Sequence, residues 1–132
     1  MSKKTIVIAD DDIDLLEQLR MQLEAKNFEV EAFESQTEVE QYIEEHEPDL
    51  AILDLMMENQ DSGFVLSYKI KKLYPHVPVI LITGVTSETG IKFDAATDEM
   101  RSWIKADIML DKDIRFEQLE KEINRLLPDR YE

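Results

Sequence analysis

Asp10, Asp11, Asp54, Thr83, Gly84 and Lys112 each end or follow a short apolar run: TIVIA at 5–9, LAIL at 50–53, VILI at 79–82 and the stretch 106–110. A carboxylate inside such a run is costly, so Asp54 is expected where its run leaves the core. Carboxylates gathered at one edge repel, and a proton or a cation must relieve them. A hard divalent cation with oxygen ligands does so, and Mg²⁺ suits few carboxylates and several waters. With no His or Cys nearby, zinc and copper are disfavoured. Bound metal would keep Asp54 ionised and nucleophilic and would neutralise charge on an incoming phosphoryl group. Lys112 offers a mobile point charge for one phosphate oxygen and Thr83 a hydroxyl for another, while Gly84 leaves the approach open. The chemistry expected of this set is acceptance of a phosphoryl group on Asp54 as an acyl phosphate.

Positioning these residues requires alternating strands and helices. Thr5–Ala9 is β-branched and apolar, and reads as a buried strand. From Asp14 to Lys26, Leu15, Leu16, Leu19 and Leu23 recur at helical spacing behind an acidic start that suits the helix dipole. Phe28–Phe33 alternates apolar and acidic residues, as a half-exposed edge strand does. Ser35 with Glu38 predicts a capping box for a helix carrying Val39, Tyr42 and Ile43, ending before Pro48. Leu50–Leu53 is continuously apolar, the pattern of a strand covered on both faces. Phe64–Leu73 predicts a helix burying Val65, Leu66, Ile70 and Leu73. Val79–Ile82 predicts a fourth strand, Ala95–Lys105 a helix with Met100, Trp103 and Ile104, and Ala106–Leu110 a fifth strand. Phe116, Leu119, Ile123, Leu126 and Leu127 mark a last amphipathic helix before Pro128. Five such alternations predict an α/β fold with a parallel sheet, whose ligands lie beyond the carboxyl ends of its strands.

Composition excludes other chemistries. The 132 residues carry 30 acids against 15 bases, a net charge of -15. No basic patch for nucleic acid or an anionic membrane is expected from that balance. The absence of cysteine removes disulfides, thiolate metal sites and thiol catalysis. No signal-peptide pattern and no bilayer-length apolar run are present. The expectation is a soluble cytoplasmic protein of one domain, residues 1–132.

The chain resembles the receiver domains of two-component response regulators. IVIADDD at 6–12, DLAILDLMM at 49–57, VPVILITG at 77–84 and ADIMLDK at 106–112 carry the resemblance, in family order and across nearly the whole chain. It implies a flavodoxin-like (βα)5 fold, a doubly wound parallel five-stranded sheet of strand order 2-1-3-4-5. It implies Asp54 as phosphoacceptor and metal ligand, Asp10 and Asp11 as the acidic pair with Asp11 the more direct ligand, and a Met56 backbone carbonyl on the metal. Thr83 becomes the switch hydroxyl and Lys112 the phosphate-binding lysine. A histidine kinase or phosphotransfer protein becomes the phosphodonor. The domain would be a signalling switch rather than an enzyme on other substrates, acting on a protein partner through residues 84–113 and the last helix.

Departures from the family pattern are as informative. Met109 stands where an aromatic ring usually lies, three before Lys112. Asp113 replaces a proline often preceded by a cis bond, so a trans bond or a strained cis bond is expected. Glu58 replaces the proline of the loop after Asp54, and that loop, ending Asp61-Ser62-Gly63, is longer by about one residue. The segment from Gly84 to Lys105 is longer by about seven, which points to a remodelled partner surface with Ile91, Phe93 and Trp103 as contacts. Met56 and Val85 are apolar flanks expected to slow hydrolysis of the acyl phosphate. His46 and His76 receive no role. The alternative reading is a pseudo-receiver acting only as a protein-binding module, motivated by Met109, Asp113 and the long segment. A phosphohydrolase is disfavoured because Met56 occupies the place of its second carboxylate. Flavin binding is disfavoured because no phosphate-cradling loop follows the first strand.

Overall fold

A computed structural model of the protein describes residues 3–83 and 107–127. Its strands are β1 (Thr5–Ala9), β2 (Glu29–Phe33), β3 (Leu50–Asp54), β4 (Val79–Thr83) and β5 (Ile108–Asp111). Its described helices are α1 (Ile13–Ala25), α2 (Gln36–Glu45), α3 (Ser62–Leu73) and α4 (Phe116–Leu126). The five strands form one sheet of order β2-β1-β3-β4-β5, every pair parallel. This is the flavodoxin-like arrangement expected from the sequence.

Side chains alternate across the strands and divide the core in two. Ile6, Ile8, Leu50, Ile52 and Ile80 pack with Leu16, Leu23, Leu119 and Ile123 on the face covered by α1 and α4. Val7, Ala9, Ala51, Leu53, Val79 and Leu81 pack with Val39, Ile43, Leu66 and Ile70 on the face covered by α2 and α3. All five residues of β3 are buried. The central strand therefore reads as an unbroken apolar run, whereas β2 at the edge is largely half-exposed and alternates.

Several boundaries differ from the sequence expectation. α1 begins at Ile13 because Asp12 caps it, its side chain accepting from Leu15 N at 3.2 Å. α3 begins at Ser62, ahead of the first large apolar residue, where Ser62 Oγ donates to Asn59 O (3.1 Å) and Gly63 N to Leu55 O (2.8 Å). β5 runs Ile108–Asp111 instead of Ala106–Leu110. Asp107 N donates to Val79 O (2.9 Å) and the Asp107 carboxylate accepts from Val79 N (2.8 Å), so paired strand starts only after it. Leu73 is exposed, not buried, because Tyr74 takes the inward place and donates its hydroxyl to Ile43 O at 2.6 Å. The expected helix Ala95–Lys105 lies outside the described residues. Ser35 does cap α2, its Oγ accepting from Glu38 N at 3.2 Å, but Glu38 returns its carboxylate to Glu34 N (3.1 Å) and to the Ser35 hydroxyl (3.2 Å).

Candidate functional site

Strand register brings the sequence-selected residues to one end of the sheet. Ala9 pairs with Leu53, Asp54 with Ile82, Ile82 with Leu110 and Thr83 with Asp111. Asp10, Asp54, Thr83 and Lys112 therefore leave adjacent parallel strands at nearly the same level. Asp10 and Asp54 are buried, Asp11 is exposed, and one carboxylate oxygen from each lies within 4.8 Å of the others. Lys112 Nζ donates to Asp54 Oδ2 at 3.3 Å and stands 3.6 Å from Asp10 Oδ2. The other Asp10 oxygen accepts from Asp12 N at 2.9 Å.

The electrostatics follow from burial. Removal from water, reinforced by the neighbouring Asp10 charge, pushes the Asp54 carboxyl up to about 7, with Lys112 pulling the other way. Burial also raises Asp10, against the Asp12 amide and the Lys112 charge. At Lys112 burial opposes the charged form, yet the Asp10 and Asp54 charges outweigh it and hold its pKa above the ordinary lysine value. One ammonium thus serves two buried carboxyls with a third beside them, an arrangement short of positive charge. A hard divalent cation fits that donor set: it is all oxygen, and His46 and His76 are engaged elsewhere, His46 stacked on Tyr42 and His76 against Glu47.

Thr83 is buried on the face of Val79 and Leu81, and its carbonyl accepts from Lys112 N at 3.1 Å. That bond fixes where the lysine leaves the sheet. Met56 is exposed on the loop beyond Asp54. Met109 sits opposite Leu81 and packs with the α2/α3 side of the core. The Lys112–Asp113 peptide bond is trans, in line with the first of the two conformations expected for a non-proline residue there. Asp111 replaces proline's constraint with a turn: its carboxylate accepts from Asp113 N (2.9 Å) and its carbonyl from Ile114 N (3.2 Å). Gly84, Val85, Ile91, Phe93 and Trp103 lie outside the described residues.

Two residues near the site had no strong sequence signal. Gly63 lies against the end of β3: a Cβ there would fall 2.8 Å from Leu55 Cα and 2.9 Å from Asp54 O. A glycine eight or nine residues after an aspartate is too common a feature to mark this approach. Glu58 reaches back to α2, its carboxylate accepting from Gln36 N (2.6 Å) and from Thr37 N and Oγ1 (both 3.3 Å). No local pattern ties a loop acid to a helix so far upstream.

A cavity of about 530 Å³ opens from the carboxylates between α1 and α4, floored by Ile8, Ile52 and Ile82. No described helix is long and apolar enough to cross a membrane.

Known proteins share this framework. The heme response regulator HssR of Staphylococcus epidermidis is 33% identical over 98 residues, 74% of this chain and 39% of that protein. The chain spans between a third and two fifths of the length of such curated relatives. A CheY-like response regulator receiver domain protein from Methanospirillum hungatei JF-1 superposes with a TM-score of 0.81 at 26% identity, covering 98% of both chains. The response regulator TrrA of Thermotoga maritima, crystallised with Mg²⁺-BeF, superposes with a TM-score of 0.76 at 24% identity over 93% of this chain and 98% of that one. The family model described as the response regulator receiver domain matches residues 6–124. Because that match takes in all of the described strands except Thr5 at the start of β1, together with all three clustered carboxylates, the chain belongs to the receiver domains of two-component response regulators.

Proposed function

We propose that Asp54 accepts a phosphoryl group and that the domain, residues 1–132, works in the cytoplasm as a phosphorylation switch. The observation that carries this reading is the cluster itself: a buried carboxyl at a strand end, two further carboxylates within 4.8 Å, and a lysine at 3.3 Å. Asp10, Asp11, Asp54 and the Met56 carbonyl would hold Mg²⁺. Bound there, Mg²⁺ supplies positive charge that keeps Asp54 ionised and offsets charge on the phosphoryl oxygens.

The donor in this reading is a phosphohistidine of a histidine kinase or phosphotransfer protein. An Asp54 oxygen attacks phosphorus as the P–N bond of the donor breaks, and the imidazole leaves with its electron pair and takes up a proton. Lys112 swings its ammonium from the carboxylates to a phosphoryl oxygen. Thr83 donates its hydroxyl to another. Beyond catalysing its own phosphorylation and dephosphorylation, the domain is not an enzyme. Its output passes to a protein partner through residues 84–113 and α4. The exposed apolar Met56 beside the site hinders attacking water, so the acyl phosphate is long-lived.

A second reading, a pseudo-receiver that only binds protein, draws on Met109, which packs into the core where the family places a mobile ring. Intact mass separates the two. After incubation with acetyl phosphate, wild type gains one phosphoryl group only when Mg²⁺ is present, and Asp54→Asn gains none. No gain in wild type moves the assignment to the binding module.

A further inference from the structure

The loop between β3 and α3 has lost the family's proline and gained a residue, yet the structure closes it on both sides. Toward α3, Asn59 N donates to the buried Ser62 Oγ at 3.1 Å, and that hydroxyl donates back to Asn59 O at 3.1 Å. Met57 N also donates to Asn59 O at 3.1 Å, so the loop folds on itself. Toward α2, the Glu58 carboxylate takes Gln36 N at 2.6 Å and Thr37 N at 3.3 Å, and Asn59 Nδ2 donates to Gln36 Oε1 at 3.1 Å. Gln36 in turn holds Glu40, which pairs with Lys69 of α3.

The helix-side accounting explains why the contact forms. The first turn of α2 has amides with no intrahelical acceptor. Ser35 Oγ satisfies Glu38 N, and Ser35 O accepts from Val39 N. Gln36 N and Thr37 N remain, and Glu58 takes both. An anion at the positive end of a helix is favoured by the dipole as well.

We infer that Glu58 is a positioning residue for the metal site: by clamping the loop of Met56 to the amino end of α2, it replaces the rigidity that proline gives. The inference rests on the phosphoacceptor reading only through the metal. Met56 and Gln36 are linked through Glu58, two residues beyond Met56, whose carboxylate accepts from Gln36 N. A loose loop must be ordered when Mg²⁺ binds, whereas a clamped loop is already ordered, so the clamp raises affinity. Linkage makes the effect reciprocal, and Mg²⁺ must tighten the clamp by the same factor.

The test is calorimetric titration of Mg²⁺ into wild type, Glu58→Ala, Glu58→Gln and Gln36→Pro, with amide exchange at Gln36 and Thr37 in wild type. Glu58→Ala is expected to raise the Mg²⁺ dissociation constant about three- to tenfold, the worth of one net hydrogen bond. Glu58→Gln retains one acceptor oxygen and recovers part of the loss. Gln36→Pro removes the amide of the shorter contact at a first-turn position where proline suits a helix, and Ser35 before it is extended at φ -147 and ψ 158. It is expected to weaken Mg²⁺ binding while α2 stays folded. Saturating Mg²⁺ is expected to slow exchange at Gln36 and Thr37 about three- to tenfold as well. Unchanged Mg²⁺ affinity in both Glu58→Ala and Gln36→Pro, with exchange indifferent to Mg²⁺, overturns the inference and leaves Glu58 a helix cap. A wild type that binds Mg²⁺ with the expected Glu58 dependence but takes no phosphoryl group supports the clamp and overturns the phosphoacceptor reading instead.

Discussion

Asp54 carries a tension that its surroundings only half relieve. Its carboxyl is pushed up to about 7 by burial and by Asp10, while the unfolded chain holds it at the ordinary carboxylate value. Between those values the folded state binds a proton that the unfolded state lacks. Stability therefore falls as pH rises from the ordinary carboxylate range toward 7, and the loss is complete above that. Asp54→Asn removes the charge and is expected to stabilise the metal-free protein by about 1–3 kcal/mol near pH 8, with the gain fading toward pH 4. Urea denaturation at several pH values checks this, and a gain independent of pH would place the effect outside Asp54 ionisation. Gly63 makes a second residue-scale demand. Gly63→Ala brings a methyl within 2.9 Å of backbone at Leu55 and Asp54, and of the Leu81 side chain, where little can yield. It is expected to cost about 1–3 kcal/mol and to slow acetyl phosphate labelling, because the main chain under Asp54 must shift.

At the scale of elements, helix starts do much of the positioning. Asp12 caps α1 from the site's own loop, so the acidic run both solvates a helix start and supplies ligand-type groups. Ser35 caps α2, and Ser35→Ala is expected to lower stability by about 1 kcal/mol. The same change should leave Mg²⁺ affinity within about twofold of wild type, because Glu58 holds different amides of that turn. Parallel loss of stability and affinity in thermal melts and titrations would mean that the whole turn, rather than the Glu58 contact, orders the loop. β5 is tied to the site by Thr83 O accepting from Lys112 N and by the Asp111 turn.

The whole molecule bears a net charge of -15, and its buried carboxylates sit at one end of the sheet. A cation that binds the folded state alone stabilises it by mass action, about 2.7 kcal/mol at a hundredfold excess over Kd. Mg²⁺ is expected to raise Tm well beyond NaCl of equal ionic strength, and EDTA to reverse the gain. Asp54→Asn should lose most of the Mg²⁺-specific part while keeping the general salt effect. Equal gains from Mg²⁺ and NaCl in wild type would mean that only diffuse screening of the acidic surface is at work.

How much was legible beforehand varies with how local each cause is. The apolar runs Thr5–Ala9 and Leu50–Leu53, the leucine spacing of α1 and the Ser35 cap are set by side-chain period and nearest neighbours, and the structure reproduces them. Asp10, Asp11, Asp54 and Lys112 were legible because a parallel sheet sends successive strand ends to one edge, so their order along the chain already implied their meeting. The early start of α3 was not legible, because it turns on loop contacts, Ser62 Oγ to Asn59 O and Gly63 N to Leu55 O, that no helical period marks. Nor were the outward turn of Leu73 and the late start of β5, each of which depends on a partner distant in sequence: Ile43 O for Tyr74 and Val79 for Asp107. The Glu58 contact belongs with these. Sequence alone determined which groups could do chemistry and at which end of the sheet they stand. Tertiary structure decided how deeply Asp54 is buried, which ammonium answers it, and which acid holds the neighbouring loop, because those depend on distances between segments that no local period encodes.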